Sequence, residues 1–494
     1  MRRRFERSRP PILEVIAGWT EGPPPALPDE GPQDGRTIRW GAGALDGVLA
    51  RHVDSAPEPA RGAELAMLIE HAATGDPEAR IALYEAARAD GIVFALDEAL
   101  DALDGVPRES VAELGRSLLR ESQHREPLKL AVALVGRAGD RDDVPLLETL
   151  ARHDEFSRVA GVALARLLDD PVTAWWRVGC LATGWGRVEA VGRLAEQPSL
   201  PADVRAWLLR HGCDNAVTPE YLAYGCATAG GLETALDGLV DDELLDGACT
   251  IMRALVRGGP AEDISDYEPG PRIAAAVVEL VGERPSNLVR LSAVVEIRRW
   301  AEDFEEHVAI AERCGRVLMR ADVRDFVTAR LAHADEALEV WEVAEDVGVD
   351  PWEAGWRHLL QAPADAALYH VLSRTPDEHR WARLARFAEQ ELPLDMLSSG
   401  PRDQLFPAPQ HREPAHALLF LLQNMRPGRW SALLVSTGLL NPVIPTRNAA
   451  LHALGRMPPP QWGETVRQAL RRLAQEEPLD EVRERVMEQL ARAA

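Results

Sequence analysis

From about residue 60 onward, Leu, Ala, Val and Ile recur at three- and four-residue spacing in stretches of roughly 10–16 residues. Examples are 63–73, 127–138, 144–152, 273–282 and 464–474. Each places one apolar stripe on a helix and leaves the opposite face polar. Strand-like alternation is almost absent, so the pattern predicts an all-α fold. Helix starts are marked by a capping residue followed by Pro: Asp76-Pro77, Asp170-Pro171, Thr218-Pro219, Asp350-Pro351 and Thr375-Pro376. The cap oxygen takes an orphan N–H, and Pro at the first helical position needs no partner. Asp350 with Glu353 and Thr375 with Glu378 have the spacing of a capping box.

The helices also read as pairs. Residues 140–170 form helix, short polar turn, helix, and 446–494 repeat the theme. Three Pro/Gly-rich breaks interrupt the pattern, at 20–40, 257–272 and 390–415. The expected organisation is a basic segment over 1–19 with a short helix at 11–19, a linker or loop over 20–40, and a helical body over 41–494. Long loops fall near 257–272 and 390–415. The last of these is long enough to be a functional loop or a disordered insertion.

Two helices match a known repeat. TRNAALHALGRM (446–457) resembles the second helix of a HEAT repeat at Arg447, Ala450, Ala453, Leu454 and Gly455. PLKLAVALVGRA (127–138) matches more loosely, through Ala131 and Gly136. Residues 107–235, with the blocks REPLKLAVALVGRAG, LLETLARHDEF, GWGRVEAVGRLAE and WLLRHGCDNAVTPEYLAYGCATAGGL, are similar to a family of bacterial helical-repeat proteins. Some of its members are labelled limonene hydroxylase. The resemblance implies an α-α superhelix, or solenoid, of HEAT-like pairs. Such pairs bury their apolar faces only by stacking, and the concave surface is the usual binding face. At roughly 40–47 residues per repeat, residues 60–494 allow about nine or ten pairs.

Composition narrows the partner. The 494 residues carry 55 Lys+Arg against 79 Asp+Glu, a formal charge of −24. That sign repels phosphate backbones and anionic membranes, so nucleic acid is disfavoured and a neutral or basic protein or peptide fits better. No apolar run approaches a membrane span. The N-terminal arginines satisfy half of a twin-arginine signal, but Pro10, Pro11 and Glu14 break the apolar stretch that export needs. Five cysteines without a Cys-x-x-Cys fit reduced thiols, and the expected compartment is the cytoplasm.

Candidate chemistry is sparse. Lys129 is the only lysine, so it alone could form a Schiff base, and no P-loop exists. Glu-x-x-His, a unit of di-iron bundles, occurs at Glu121…His124 and Glu413…His416, nearly 300 residues apart. Gly184-Trp185-Gly186 follows no strand and lacks the third glycine of a dinucleotide fingerprint. No metal or cofactor is expected. Arginine-rich stretches at Arg2–Arg9, Arg380–Arg386 and Arg467–Arg472 have acidic neighbours, as solvated helix faces do. Trp residues, 13 in all, read as large core fillers of an Ala-rich array.

One polar cluster stands out within the family-like block. It comprises His124, Arg125, Glu126, His153, Glu155, Trp185, Arg187, Trp207, Arg210, Asn215, Tyr221 and Tyr224. Equivalent positions of successive repeats share a surface, so these residues could converge on one groove; alternatively they sit in turns and at helix ends. The expected function is a non-catalytic protein- or peptide-binding scaffold. The alternative is an enzyme: a monooxygenase, as the family label implies, or an alkylated-base DNA glycosylase, as HEAT-like fold analogy implies.

Overall fold

The computed structural model describes residues 9–31, 40–52, 59–333 and 337–493, and the chain divides into two compact units. The first is drawn from Met1–Gly31, Trp40–Arg284 and Glu296–Cys314; the second is centred on Gly315–Ala494. The fold is all-α. Among the described residues there is no strand, only isolated bridges at Gln404–Val443 and Arg426–Arg429. None of the described helices is long and apolar enough to cross a membrane.

In the first unit the helices run α1 (Ile12–Ala17), α2 (Ala44–His52), α3 (Pro59–Ala73), α4 (Pro77–Ala86), α5 (Leu96–Asp101), α6 (Arg108–Glu121), α7 (Arg125–Ala138) and α8 (Val144–Ala151). They continue through α9 (Asp154–Leu167), α10 (Pro171–Leu181), α11 (Trp185–Ala195), α12 (Ala202–Trp207), α13 (Ala223–Gly230), α14 (Leu232–Leu236), α15 (Asp242–Arg257) and α16 (Gly270–Glu283). Helices α7, α9, α11, α13 and α15 pack side by side in succession, and α6, α8 and α10 back them. The centre of the stack is α7, buried on nearly every side through Leu128, Leu130, Ala131, Val132, Leu134 and Val135. Its Gly136 lies so close to Ala163 of α9 that a Cβ there would overlap Ala163. The second unit repeats the two-layer scheme with Ala366–Leu372, Arg412–Gln423, Ile444–Arg456 and Asp480–Ala493 in one succession.

Side-chain caps open a minority of the described helices, among them those begun by Asp76, His153, Asp170, Asp241 and Ser431. Asp76 and Asp170 accept backbone N–H groups as the sequence predicts. Three predicted starts differ. Thr218-Pro219 opens only a single 3₁₀ turn, with no side-chain cap. Thr375-Pro376 lies before the helix Glu378–Glu391, because Asp377 is the better-placed acceptor and takes the His379 and Arg380 N–H groups. Asp350 accepts from Trp352 N–H, but helix Trp352–Gln361 has Pro351 at its cap position, without a box. A reciprocal box forms instead between Asp140 and Asp143.

The predicted loops are more ordered than their composition suggests. Residues 20–31 are not a free spacer: Leu27 is buried, and Asp29 and Glu30 pair with Arg125. Residues 32–39 of the predicted linker, and Arg2–Arg4 and Arg7 of the basic tail, lie outside the described residues. The 257–272 break is a loop only to Pro269, with Tyr267 buried. The 390–415 break contains the short helix Leu394–Leu397, and Ile444 N–H bonds Gln404 O at 2.8 Å. It forms part of the second unit.

Candidate functional site

Helices α7, α9 and α11 begin at His124, His153 and Gly184. Because they pack side by side, equivalent positions meet. The second helical positions are Glu126, Glu155 and Gly186, and the fifth are Lys129, Arg158 and Glu189.

Lys129 is 2% exposed. Its Nζ lies 2.7 Å from each of Asp46 Oδ2, Glu126 Oε1 and Glu155 Oε1, all on buried residues. Burial alone would drive the amine neutral, but the three carboxylates outweigh it and hold the ammonium charged. A clamped ammonium is no nucleophile, which removes the one Schiff-base candidate. Burial pushes the Glu126 carboxyl up from its ordinary value, against the pull of Lys129. Its other oxygen accepts Ile92 N–H at 2.9 Å. Arg125 Nη1 stands 3.5 Å from Glu155 Oε2, and its backbone N–H and Nε bond Asp29. His153 caps α9 through Nδ1, its Nε2 lies 3.2 Å from Pro25 O, and burial lowers its pKa. His124 Nδ1 meets Tyr84 Oη at 3.0 Å, and burial lowers it too.

Asp46 comes from α2, which lies across the starts of these helices. Gly43 N–H donates to Glu155 Oε2 at 3.0 Å, and Arg158 Nη1 donates to Asp46 O at 3.2 Å. Gly47 faces the Trp185 ring directly. Arg51 Nη2 reaches Val188 O at 3.4 Å, and His52 Nε2 lies 2.6 Å from Tyr221 Oη. The Trp185 and Tyr221 rings are 5.2 Å apart.

The twelve predicted residues therefore separate. Arg125, Glu126 and Glu155 gather around Lys129, with Trp185 and Tyr221 adjoining through α2, while His153 caps α9 and meets Pro25 and His124 meets Tyr84. Arg187 instead bonds Asp214 O and lies over Trp207. Arg210 pairs with Asp241 at 2.8 Å and Glu243 at 3.6 Å. Asn215 closes its own turn with Val217, Thr218 and Cys213. Tyr224 sits half-buried on α13, its carbonyl accepting from Thr228. The sequence reading missed Asp46, Gly43, Arg158 and His52. The spacing of Glu126 and Lys129 from His124, repeated by Glu155 and Arg158 from His153, was the available signal.

Farther along the same face, the later turns of α7, α9 and α11 border a cleft of about 480 Å³. Ala133, Gly136, Val159, Val162 and Ala163 form its floor, and Phe94, Leu96 and Trp175 its walls. The rim holds Arg158, Arg166 and Arg193 with Asp97 and Glu196. Arg193 pairs with Glu189 at 3.0 Å, and Arg166 approaches Asp97 at 3.9 Å.

Among the described residues no group of three His, Cys, Asp or Glu is placed to hold a metal ion; Lys129 itself fills the centre of its three carboxylates. The Glu-x-x-His units have other partners, Glu413 accepting from Ala366 N–H and Glu121 from Ser117. Two arginines of 380–386 are engaged: Arg380 pairs with Asp350 over Trp352, and Arg383 lies 4.0 Å over Trp356. Comparison with protein-family models gives no match, and comparison with curated proteins gives none either.

Proposed function

We propose that the first unit is a HEAT-like solenoid segment that binds a protein or peptide on the face formed by α7, α9 and α11, without catalysis. The observation that carries this reading is the register. Ala133, Val162 and Arg193 occupy the same position in three neighbouring helices, and all three border one cleft. Its volume is in the range that holds a side-chain-sized ligand group. The floor is apolar, and the rim arginines are matched by Asp97, Glu189 and Glu196. A matched rim around an apolar floor fits a neutral segment with an apolar anchor. The acidic chain as a whole admits a basic partner and opposes nucleic acid. Nothing at the site favours the monooxygenase or glycosylase alternatives.

The test is selection of a displayed peptide library on the full chain, with Val162→Arg and Ala133→Arg as counter-targets. Selected peptides should lose at least tenfold in affinity for either variant. Peptides that bind the variants equally, or a library that yields none, would overturn the reading.

A further inference from the structure

We infer that α2 is a resident ligand, and that the starts of α7, α9 and α11 form a receptor for a short helix carrying an aspartate beside glycine. This rests on the reading of that face as a binding surface. In place of α2, the receptor would take a partner's helix of the same chemistry.

The first ground is how α2 is held. Its one fully buried residue is Asp46, while Leu45, Val48 and Leu49 are partly buried. Helices α7 and α9 bury long apolar runs, whereas no apolar side chain of α2 is fully buried. Its polar attachments include Asp46 to Lys129, Arg158 to Asp46 O, Gly43 N–H to Glu155, Arg51 to Val188 O, and His52 to Tyr221. That is the contact pattern of a docked peptide.

The second ground is that the receptor is complete without it. With α2 absent, Lys129 still faces Glu126 and Glu155, and Arg125 still faces Glu155. Lys129 keeps two carboxylates, and Arg125 also keeps Asp29 and Glu30. Asp46 is a third acid, and its Oδ1 is buried without a partner. Departure of α2 strands no charge and hydrates one.

The third ground is selectivity. A side chain at Gly47 would strike the Trp185 ring, and one at Gly43 (φ +68°) would strike Asp154 O. An acid three residues after one glycine and directly before the next is therefore what the surface reads. The Ala44–His52 helix carries Asp46 against Arg51 and is nearly neutral, as the matched charges of this face require. The seat of α2 is also continuous with the open cleft, since Arg158 borders both.

The experiment uses a fluorescent peptide of residues 41–52 and the full-length chain, read by anisotropy. In the wild type, tethered α2 competes at an effective concentration on the order of millimolar. Asp46→Lys sets a cation against Lys129 and Arg158 and releases α2, so it should bind the peptide at least tenfold more tightly than wild type. Gly47→Leu, which releases α2 by collision with Trp185, should do the same. A peptide with Lys in place of Asp should bind neither. Equal peptide binding to wild type and both variants overturns the inference. So does loss of the helical circular-dichroism signal in both, because a removable ligand cannot be required for folding. If library peptides fill the cleft while the α2 peptide binds no form, the broader reading stands and this one falls. If the released chain takes the α2 peptide but no library peptide binds the cleft, the reverse holds.

Discussion

Replacing Lys129 by Met tests the buried ionic cluster directly. Each contact at 2.7 Å carries about 6 kcal/mol of Coulomb attraction at an effective dielectric of about 20, before desolvation is subtracted. Breaking a buried pair by removing one partner costs about 3–5 kcal/mol, because the other charge is left uncompensated. Here three carboxylates lose one ammonium, so a simple sum would exceed that range. Two features cap it. Glu126 keeps Ile92 N–H, and Glu155 keeps Arg125. Asp46 can leave with α2, none of whose apolar side chains is fully buried. The expected loss at pH 7.5 is therefore about 3–5 kcal/mol, read by urea unfolding with linear extrapolation.

The pH dependence has a definite sign. Burial raises Glu126 above its unfolded value, so the folded state holds its proton more tightly. The stability from that proton is present below the ordinary glutamate range and is lost as pH rises through the raised value. Without Lys129 the carboxyl rises further. Each proton taken up on folding changes the difference by about 1.4 kcal/mol per pH unit. The gap between variant and wild type should thus narrow between pH 7.5 and 5. A gap under about 1 kcal/mol at pH 7.5, or one that widens on acidification, would refute the account.

Three further outcomes follow from other sites. Arg447 and Glu477 form a fully buried pair at 2.8 and 2.9 Å, so Arg447→Met should cost about 3–5 kcal/mol in denaturant unfolding, and adding Glu477→Leu should restore much of it. Burial raises Asp143, but Arg116 outweighs it and holds the carboxyl below its ordinary value; stability from this pair is present above the ordinary aspartate range and lost as pH falls through the depressed value. Arg116→Gln should therefore destabilise by about 1–2 kcal/mol at neutral pH and by almost nothing near pH 2, measured by unfolding at both. Cys180 is exposed whereas Cys213, Cys226, Cys249 and Cys314 are buried, with the Cys314 thiol pushed up to about 12 by burial, so a thiol reagent should label Cys180 first and the rest only on unfolding.

The helices were legible because their signals are local. An apolar stripe and an Asp-Pro cap lie within one turn of each other, as at Asp76 and Asp170. The reading erred where two local acceptors compete: Asp377 takes the helix start that Thr375 was expected to hold, and carboxylate oxygens are the stronger acceptors. It also erred where composition stands in for contact. Residues 20–31 have the sequence of a linker, yet Asp29 and Glu30 are ordered by Arg125, roughly a hundred residues away. Of the polar cluster, Arg210 and Asn215 drop out for a simple reason. Acids at the next helix start and backbone groups within the same turn satisfied them first.

What remained hidden was the link between helices. Glu126 and Lys129 lie three apart on one helix, where such pairs are common and weak. Stacking changes their meaning. The fifth position of α7 reaches the second position of α9, since Lys129 bonds Glu155, and the fifth position of α9 approaches that of α11, with Arg158 4.0 Å from Glu189. The contacts thus form a ladder that fixes each helix against the next. Such a ladder offers an approaching helix one position for a carboxylate and one for a carbonyl, and Asp46 supplies both, its side chain to Lys129 and its backbone oxygen to Arg158. Helix register and helix recognition are then one set of contacts. A substitution in the ladder should disturb the packing of α7 on α9 and the seating of α2 together, whereas one on the cleft floor, such as Val162→Arg, should leave α2 in place.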